Sequence, residues 1–276
     1  MAKATADAQN YGTFSARYGN IYTARQLLQL FDRAYGTFQP STPVWQRADG
    51  RYVDPFRPQF DPAGFDSPEA VHAETQSHLA AVKQLFETLD VFVFTLGLTE
   101  GWRGKADGAV FPLAPGVAGG EWDETEYQFV NFEVEDVVAD MTAFVDRLVS
   151  VNANAKMLLT VSPVPLVATY ENRHVMVSNT YSKSVLRVAA DKVARSRSNV
   201  LYFPSYEIIT SNATAHRYFD DDMRSVNESG VNHVMRVFFE HLTTNGTTKS
   251  QSTNLSFSKE FAETSRVVCD EEAIDA

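Results

Sequence analysis

The sequence has 276 residues, of which 44% are apolar and 21% are charged, a composition typical of a globular protein with one sizeable core. Its formal net charge of -11 repels a phosphate backbone, so nucleic acid is not an expected partner. No apolar run approaches the roughly 18 residues that a membrane span needs, so we expect no membrane partner either. The N-terminus carries no apolar leader segment. Because Cys269 is the only cysteine, no intrachain disulfide can form, and these features together predict a cytoplasmic protein.

The first half of the chain predicts two helices, a hairpin and a buried strand. Residues 23–34 have an apolar face behind a threonine cap, and residues 67–89 begin with a serine cap followed by proline. Residues 45–53 alternate around Asp49-Gly50, which indicates a hairpin. Residues 91–96 (VFVFTL) are continuously apolar. That pattern predicts a strand of a parallel sheet that is covered on both faces.

The second half of the chain alternates between helices and strands. Residues 100–126 are rich in glycine and proline, which favours a long excursion or a small hairpin. The remaining elements are helices at 134–151, 182–195 and 228–242 and strands at 157–161 and 200–203. This order predicts the α/β class, a parallel sheet flanked by helices and connected by right-handed crossovers. We expect one domain over residues 1–242 and a polar, disordered tail over 243–276.

The carboxyl ends of the predicted strands define an edge that we call the rim. It consists of residues 97–102, 162–166 and 204–207. Ligands of open parallel sheets bind beyond the carboxyl ends of the strands. The sequence therefore predicts a ligand site at the rim.

Seven stretches of the chain match one protein family in the expected order. They are residues 10–24 (NYGTFSARYGNIYTA), 52–58 (YVDPFRP), 91–102 (VFVFTLGLTEGW), 160–166 (TVSPVPL), 180–187 (TYSKSVLR), 200–209 (VLYFPSYEII) and 230–239 (GVNHVMRVFF). Over roughly residues 10–240 the sequence resembles the GSCFA family, particularly its proteobacterial members. These proteins are α/β relatives of the serine esterases of the SGNH/GDSL type.

The resemblance implies a flavodoxin-like sheet and an esterase site, with one departure. The family is named for a Gly-Ser-Cys-Phe-Ala motif near its N-terminus, which resembles the block that carries the nucleophilic serine of the esterases. This sequence does not contain that motif. A βαβ unit takes about 30 residues, so we expect that the first two strands and the nucleophile are missing from it.

The resemblance also assigns roles to residues of the rim. Gly97 and Thr99 take the places of oxyanion-hole residues, and Glu100 takes the place of an aspartate. Asp222 stands where the acid that orients the catalytic histidine is expected. Ser225 occupies the position of the histidine itself, and a serine cannot act as a base near neutral pH. Alternatively, residues 97–100 form a strand end followed by a polar loop, and Ser225 or Asn227 caps the last helix.

Other rim residues complete the candidate site. His174 is the candidate for a substitute base, because its loop follows the strand end at Ser162. Ser162 and Tyr206 are expected to bind substrate together with Glu100 and Trp102, whose ring would suit a sugar, although aromatic residues are equally common in cores. Ser162 and Ser205 both neighbour proline and lack the setting of a nucleophile elbow. Ser182 and Lys183 are interpreted as a helix cap and a surface lysine. No spacing typical of a metal site occurs, and we expect no cofactor.

Two hypotheses from different functional classes follow. The first is an esterase or acyltransferase that acts on an O-acyl ester of a small molecule or glycan. The second is a non-catalytic protein that binds a ligand or glycan at the same rim. The missing strands would leave residues 91–96 at an exposed edge of the sheet, which predicts self-association or marginal stability.

Overall fold

The computed structural model describes residues 17–243. The disordered tail was predicted to begin at residue 243. Residues from 244 onward, including Cys269, lie outside the described residues. The strands are β1 (Trp45–Gln46), β2 (Tyr52–Val53), β3 (Val91–Leu96), β4 (Glu100–Gly104), β5 (Val110–Phe111), β6 (Tyr127–Asn131), β7 (Lys156–Val161) and β8 (Val200–Tyr202). The α-helices are α1 (Ala24–Ala34), α2 (Pro68–Thr88), α3 (Val134–Val151), α4 (Val175–Ser196), α5 (Ser205–Thr210) and α6 (Glu228–Leu242).

Local sequence signals set the starts of the first two helices. The Thr23 hydroxyl accepts a hydrogen bond from the Gln26 backbone N–H at 3.2 Å, and the Gln26 side chain accepts one from the Thr23 N–H at 2.9 Å. This reciprocal pair is a capping box. The Ser67 hydroxyl caps α2 at the Ala70 N–H, with Pro68 in the first helical position. The predicted caps of α1 and α2 are therefore confirmed.

The central sheet is parallel and has the order β3-β7-β8. Phe94 pairs with Leu159, which in turn pairs with Tyr202, so these side chains share one face of the sheet. Residues from α1, α2, α3 and α4 pack against this face and form the main core. The predicted α/β class, with a parallel sheet flanked by helices, is confirmed.

The opposite face of β3 is open, contrary to the prediction that both faces are covered. Val91 and Val93 point to this face and are 53% and 52% exposed. Leu201 of β8 lies on the same face and is 57% exposed. The short helix α5 packs on β7 rather than on β3. Among the described residues, β3 pairs with β7 alone, so its other side is a sheet edge.

A second, antiparallel sheet of order β5-β4-β6 forms where a long excursion or a small hairpin was expected, and the antiparallel pairing of β4 with β5 is such a hairpin. The sequence did not predict β6 or the short helix α5. The predicted helix at 182–195 was too short, because α4 already begins at Val175. Its first turns contain Ser178, Asn179 and Thr180, whose side chains compete for backbone hydrogen bonds and weaken the helical signal. The predicted hairpin is confirmed by the antiparallel pairing of β1 with β2.

Candidate functional site

The carboxyl ends of the parallel strands bring the rim segments together. The Ser162 N–H donates to the Leu96 carbonyl at 2.9 Å, and the Phe203 N–H donates to the Leu159 carbonyl at 2.8 Å. The chain therefore leaves β3, β7 and β8 at neighbouring positions. This is the edge at which open α/β sheets bind ligands.

Gly97 holds the end of β3 against the segment before α1. Its N–H donates to the Tyr22 carbonyl at 3.0 Å, and its carbonyl accepts from the Lys183 ammonium at 2.7 Å. A Cβ atom at Gly97 would lie 3.1 Å from the Tyr22 oxygen, so close approach of the backbone explains the glycine. The N–H that the resemblance assigns to an oxyanion hole is bonded to Tyr22.

Thr99 is fully buried and is bonded through its backbone and its side chain. Its N–H donates to the Ser182 hydroxyl at 3.0 Å, and its own hydroxyl donates to the Asn131 side-chain oxygen at 2.7 Å. The Asn131 amide in turn donates to a Glu171 carboxylate oxygen at 3.0 Å. The hydroxyl predicted to face a substrate thus joins a chain of hydrogen bonds that reaches the surface at Glu171.

Glu100 fixes the loop that follows β7. Its carboxylate oxygens lie 2.6 Å from the Thr169 hydroxyl and 3.3 Å from the Tyr170 N–H. Burial raises the pKa of Glu100, and the hydrogen bonds from Thr169 and Tyr170 oppose this shift only in part. A half-buried carboxyl group with a raised pKa is a group that can donate or accept a proton at a functional site.

Ser178 extends this arrangement at the start of α4. Its hydroxyl is buried and lies 3.0 Å from the Thr169 hydroxyl and 2.9 Å from the Arg173 Nε. We call the connected group the rim network; its members are Thr99, Glu100, Asn131, Thr169, Glu171, Ser178 and Ser182. Sequence reasoning missed Asn131 and Thr169, because it did not predict that β6 ends beside β4 and the loop after β7.

Ser182 and Lys183 do not match their interpretation as a cap and a surface lysine. Both lie inside α4 and are buried, with 0% and 3% of their surface exposed. Ser182 receives the Thr99 N–H, and Lys183 donates to Gly97. The only available signal was their position in the matching stretch 180–187.

Trp102 lies on β4 beside the rim network. Its ring makes edge-to-face contacts with Tyr170 and Trp122, at centroid distances of 4.3 and 5.0 Å. Tyr170 directly follows Thr169, which is hydrogen-bonded to Glu100. The loop after β7 therefore carries both a member of the rim network and one of the aromatic rings.

Ser162, Ser205 and Tyr206 have structural contacts. The Ser162 hydroxyl accepts from the Val164 N–H at 3.2 Å and so shapes the proline-rich turn. The Ser205 hydroxyl bonds to the Thr160 hydroxyl and donates to the Val161 carbonyl at 3.2 Å. The Tyr206 side chain packs against the main core.

His174 and Asp222 are not hydrogen-bonded to each other, and each bonds to residues close to it in sequence. The exposed His174 caps α4, where its Nδ1 accepts from the Met176 N–H at 3.2 Å. The exposed Asp222 carboxylate accepts from the Ser225 hydroxyl at 2.6 Å and from the N–H groups of Arg224 and Ser225, both at 2.8 Å. These bonds lower the pKa of Asp222, the hydroxyl of Ser225 contributing most. Asn227, as the alternative reading allowed, caps α6.

A cleft of about 920 Å³ is lined by none of the rim segments. Its walls are the turn between β1 and β2, residues 58–62 and the glycine-rich residues 116–121. It contains none of the predicted site residues. Within residues 17–243, no group of three or more histidine, cysteine, aspartate or glutamate side chains is arranged to hold a metal ion. The helices of that part of the chain are also too short or too polar to cross a membrane.

The parallel strands flanked by helices define an open α/β protein, and a network of polar side chains lies where the strands end, the edge at which ligands of this class generally bind. The model of the GSCFA family matches residues 1–238, which is most of the chain. The chain therefore belongs to the GSCFA family, as the sequence predicted. A comparison with curated proteins finds no match.

Proposed function

We propose that the rim binds an O-acyl ester and that the chain forms the binding part of an SGNH-like esterase or acyltransferase. The observation that carries this proposal is the rim network, which pins Glu100 and Glu171 beside one another at the carboxyl ends of the strands. A group with the raised pKa of Glu100 is suited to proton transfer near an ester. The substrate is an ester of a small molecule or of a glycan.

The attacking serine is, in this proposal, none of the four serines near the rim. Their hydroxyls are hydrogen-bonded to backbone or side-chain groups of the fold; the four are Ser162, Ser178, Ser182 and Ser205. A nucleophilic serine needs an adjacent base. The hydrogen-bond partners of these four hydroxyls include no histidine, so their contacts support structural roles.

A second candidate function is non-catalytic binding of a ligand or glycan at the same rim. The specific observation that favours it is that His174 caps a helix and Asp222 bonds within its own turn. A base and its orienting acid must be hydrogen-bonded to work together. The rim would then hold an ester without cleaving it.

Labelling with a fluorophosphonate serine probe tests whether the chain itself carries a nucleophilic serine. The full chain, shown to be folded by circular dichroism, is labelled and mapped by peptide mass spectrometry, and p-nitrophenyl acetate hydrolysis is measured in parallel. A labelled serine away from the rim network whose replacement abolishes hydrolysis supports the esterase. A label on one of the four structural serines overturns their assignment. Ester binding without any label is expected both of a binding part that lacks its nucleophile and of the second function, and no ester binding at all overturns both.

The open edge of β3 leads us to propose self-association of the chain. Val93 is half exposed on a strand with an unpaired side among the described residues, and such edges recruit other strands. For the compartment we propose the cytoplasm, because one cysteine in 276 residues is the usage of a protein that forms no intrachain disulfide.

A further inference from the structure

Four aromatic side chains form a cluster at the end of the rim network. Trp102 of β4 is in contact with Phe129 of β6 at a centroid distance of 5.6 Å, and Phe129 is 5.8 Å from Tyr170. Trp122 makes an edge-to-face contact with Trp102. We call Trp102, Trp122, Phe129 and Tyr170 the ring cluster. Its outer members, Tyr170 and Trp122, are 57% and 48% exposed.

The exposure of these rings is fixed by the fold. Tyr170 lies on a loop whose Thr169 hydroxyl and Tyr170 N–H are both bound by Glu100. The Trp102 ring meets the Tyr170 and Trp122 rings at interplanar angles of 86° and 77°. Both outer rings are therefore roughly perpendicular to the Trp102 ring. Large aromatic side chains are favoured inside a core. Exposing two of them to water in a fixed position therefore costs free energy, which a bound ligand can offset.

The polar groups beside the rings indicate what kind of ligand fits. The carboxylate of Glu171, the residue after Tyr170, is held by the Asn131 amide at 3.0 Å. A pyranose ring turns its C–H groups, which are weakly positive, toward the negative face of an aromatic ring, while its hydroxyls donate to carboxylate oxygens. The aromatic rings can therefore contact the C–H groups of a sugar while the fixed carboxylate accepts hydrogen bonds from its hydroxyls.

Charge narrows the ligand further. Glu100 and Glu171 lie next to the ring cluster, and they outnumber the cation beside them, Arg173, which donates to Ser178 of the rim network. The chain as a whole has a formal net charge of -11. Uronic acids and sugar phosphates would be repelled by these carboxylates. A neutral sugar has no such penalty.

We propose that the ring cluster is a saccharide subsite that binds a neutral pyranose ring, with Tyr170 and Trp122 as the stacking platforms and Glu171 as a hydroxyl acceptor. The inference deepens the proposed function, on which it rests for the view that the bound sugar carries the ester. It assigns the glycan, rather than the acyl chain, to the aromatic side of the rim.

Tryptophan fluorescence tests the subsite in the full chain. Two of its three tryptophans belong to the ring cluster, and the third, Trp45, is 3% exposed. The protein is titrated with cellohexaose and chitohexaose as neutral probes, with oligogalacturonate as the acidic probe, and with octanamide as a neutral probe for an acyl chain. We expect a saturable emission change with at least one neutral oligosaccharide and none with oligogalacturonate.

Variants connect the signal to the rings. Tyr170→Ala and Glu171→Gln are each expected to weaken binding about ten-fold, measured by calorimetry as well as fluorescence. Met176→Ala is the matched control, because Met176 is 70% exposed just beyond the same loop and outside the ring cluster. It should bind like the wild type, and all variants are compared by thermal melting.

The outcomes separate this inference from the proposed function. No response to either neutral oligosaccharide, an equal response in Tyr170→Ala, or saturable binding of octanamide alone overturns the saccharide subsite. Ester hydrolysis without sugar binding would defeat the subsite and leave the esterase intact. Sugar binding that is lost in Tyr170→Ala, in a chain that neither hydrolyses nor binds an O-acyl ester, would uphold the subsite and defeat the proposed function.

Discussion

Replacing Ser182 by alanine tests the hydrogen bond that anchors the rim network. The Ser182 hydroxyl accepts the Thr99 N–H at 3.0 Å, and both residues are 0% exposed. Without the hydroxyl, the Thr99 N–H is left in a buried place without its acceptor, which costs about 1–3 kcal/mol. Alanine gains roughly 0.5 kcal/mol of helix propensity over serine inside α4, so the net loss of unfolding free energy should be about 0.5–2.5 kcal/mol.

The neighbouring Ser184 provides the control, because it lies in the same helix and its side chain is exposed. Ser184→Ala gains the same helix propensity and loses no buried hydrogen bond. Urea unfolding of both variants should therefore show Ser182→Ala to be less stable than Ser184→Ala by about 1–3 kcal/mol. Equal stabilities, with unchanged dependence on urea, would refute the idea that Ser182 holds Thr99 and the start of β4.

Three further predictions concern other parts of the molecule. Asp54 is buried, and burial raises its pKa, but the charges of Arg57 and Arg33 outweigh burial and lower the pKa. Asp54→Asn should therefore lower the free energy of unfolding by about 3–5 kcal/mol at neutral pH. The pKa of Asp54 is lower in the folded than in the unfolded state. Its contribution to the free energy of unfolding is therefore present above the unfolded pKa of about 3.9 and is lost as pH falls through the folded pKa. When urea midpoints are measured at decreasing pH, Asp54→Asn should lose less stability than the wild type. Burial raises the pKa of Glu100. The wild type should therefore lose stability as pH rises from about 4.3 through the raised folded pKa, and Glu100→Gln should not show that loss in the same titration. An identical profile in the two proteins would show that the carboxyl group is solvated. Val93→Lys adds a charge at the open edge of β3, so analytical ultracentrifugation should find weaker self-association than in the exposed control Met176→Lys, with melting temperatures alike.

Local signals predicted much of the fold. The threonine and serine caps fixed the starts of α1 and α2, and the apolar spacing of residues 134–151 matched α3 to the residue. These features depend on neighbours within a few positions along the chain. The open face of β3 could not be predicted in this way, because coverage of a strand depends on where distant helices pack.

The candidate site was predicted less well than the fold, for a related reason. Gly97, Thr99 and Glu100 were placed correctly at the end of β3, but their contacts come from Tyr22, Ser182 and Thr169, which are far away in sequence. A motif indicates which residue types stand at a position and does not show that a hydroxyl is already bonded to another side chain. Asn131 carried no motif at all, and only the pairing of β4 with β6 brings it to Thr99.

We propose above all that the ligand site lies at the rim and not in the cleft of about 920 Å³ lined by residues 116–121. Amide chemical shifts of the labelled chain during titration with glucose pentaacetate, a neutral acetylated sugar, test it most directly. The account predicts that the largest shift changes fall on Glu100, Tyr170 and Glu171 and their neighbours. Changes confined to the cleft, around Gly119 and Arg47, would contradict it.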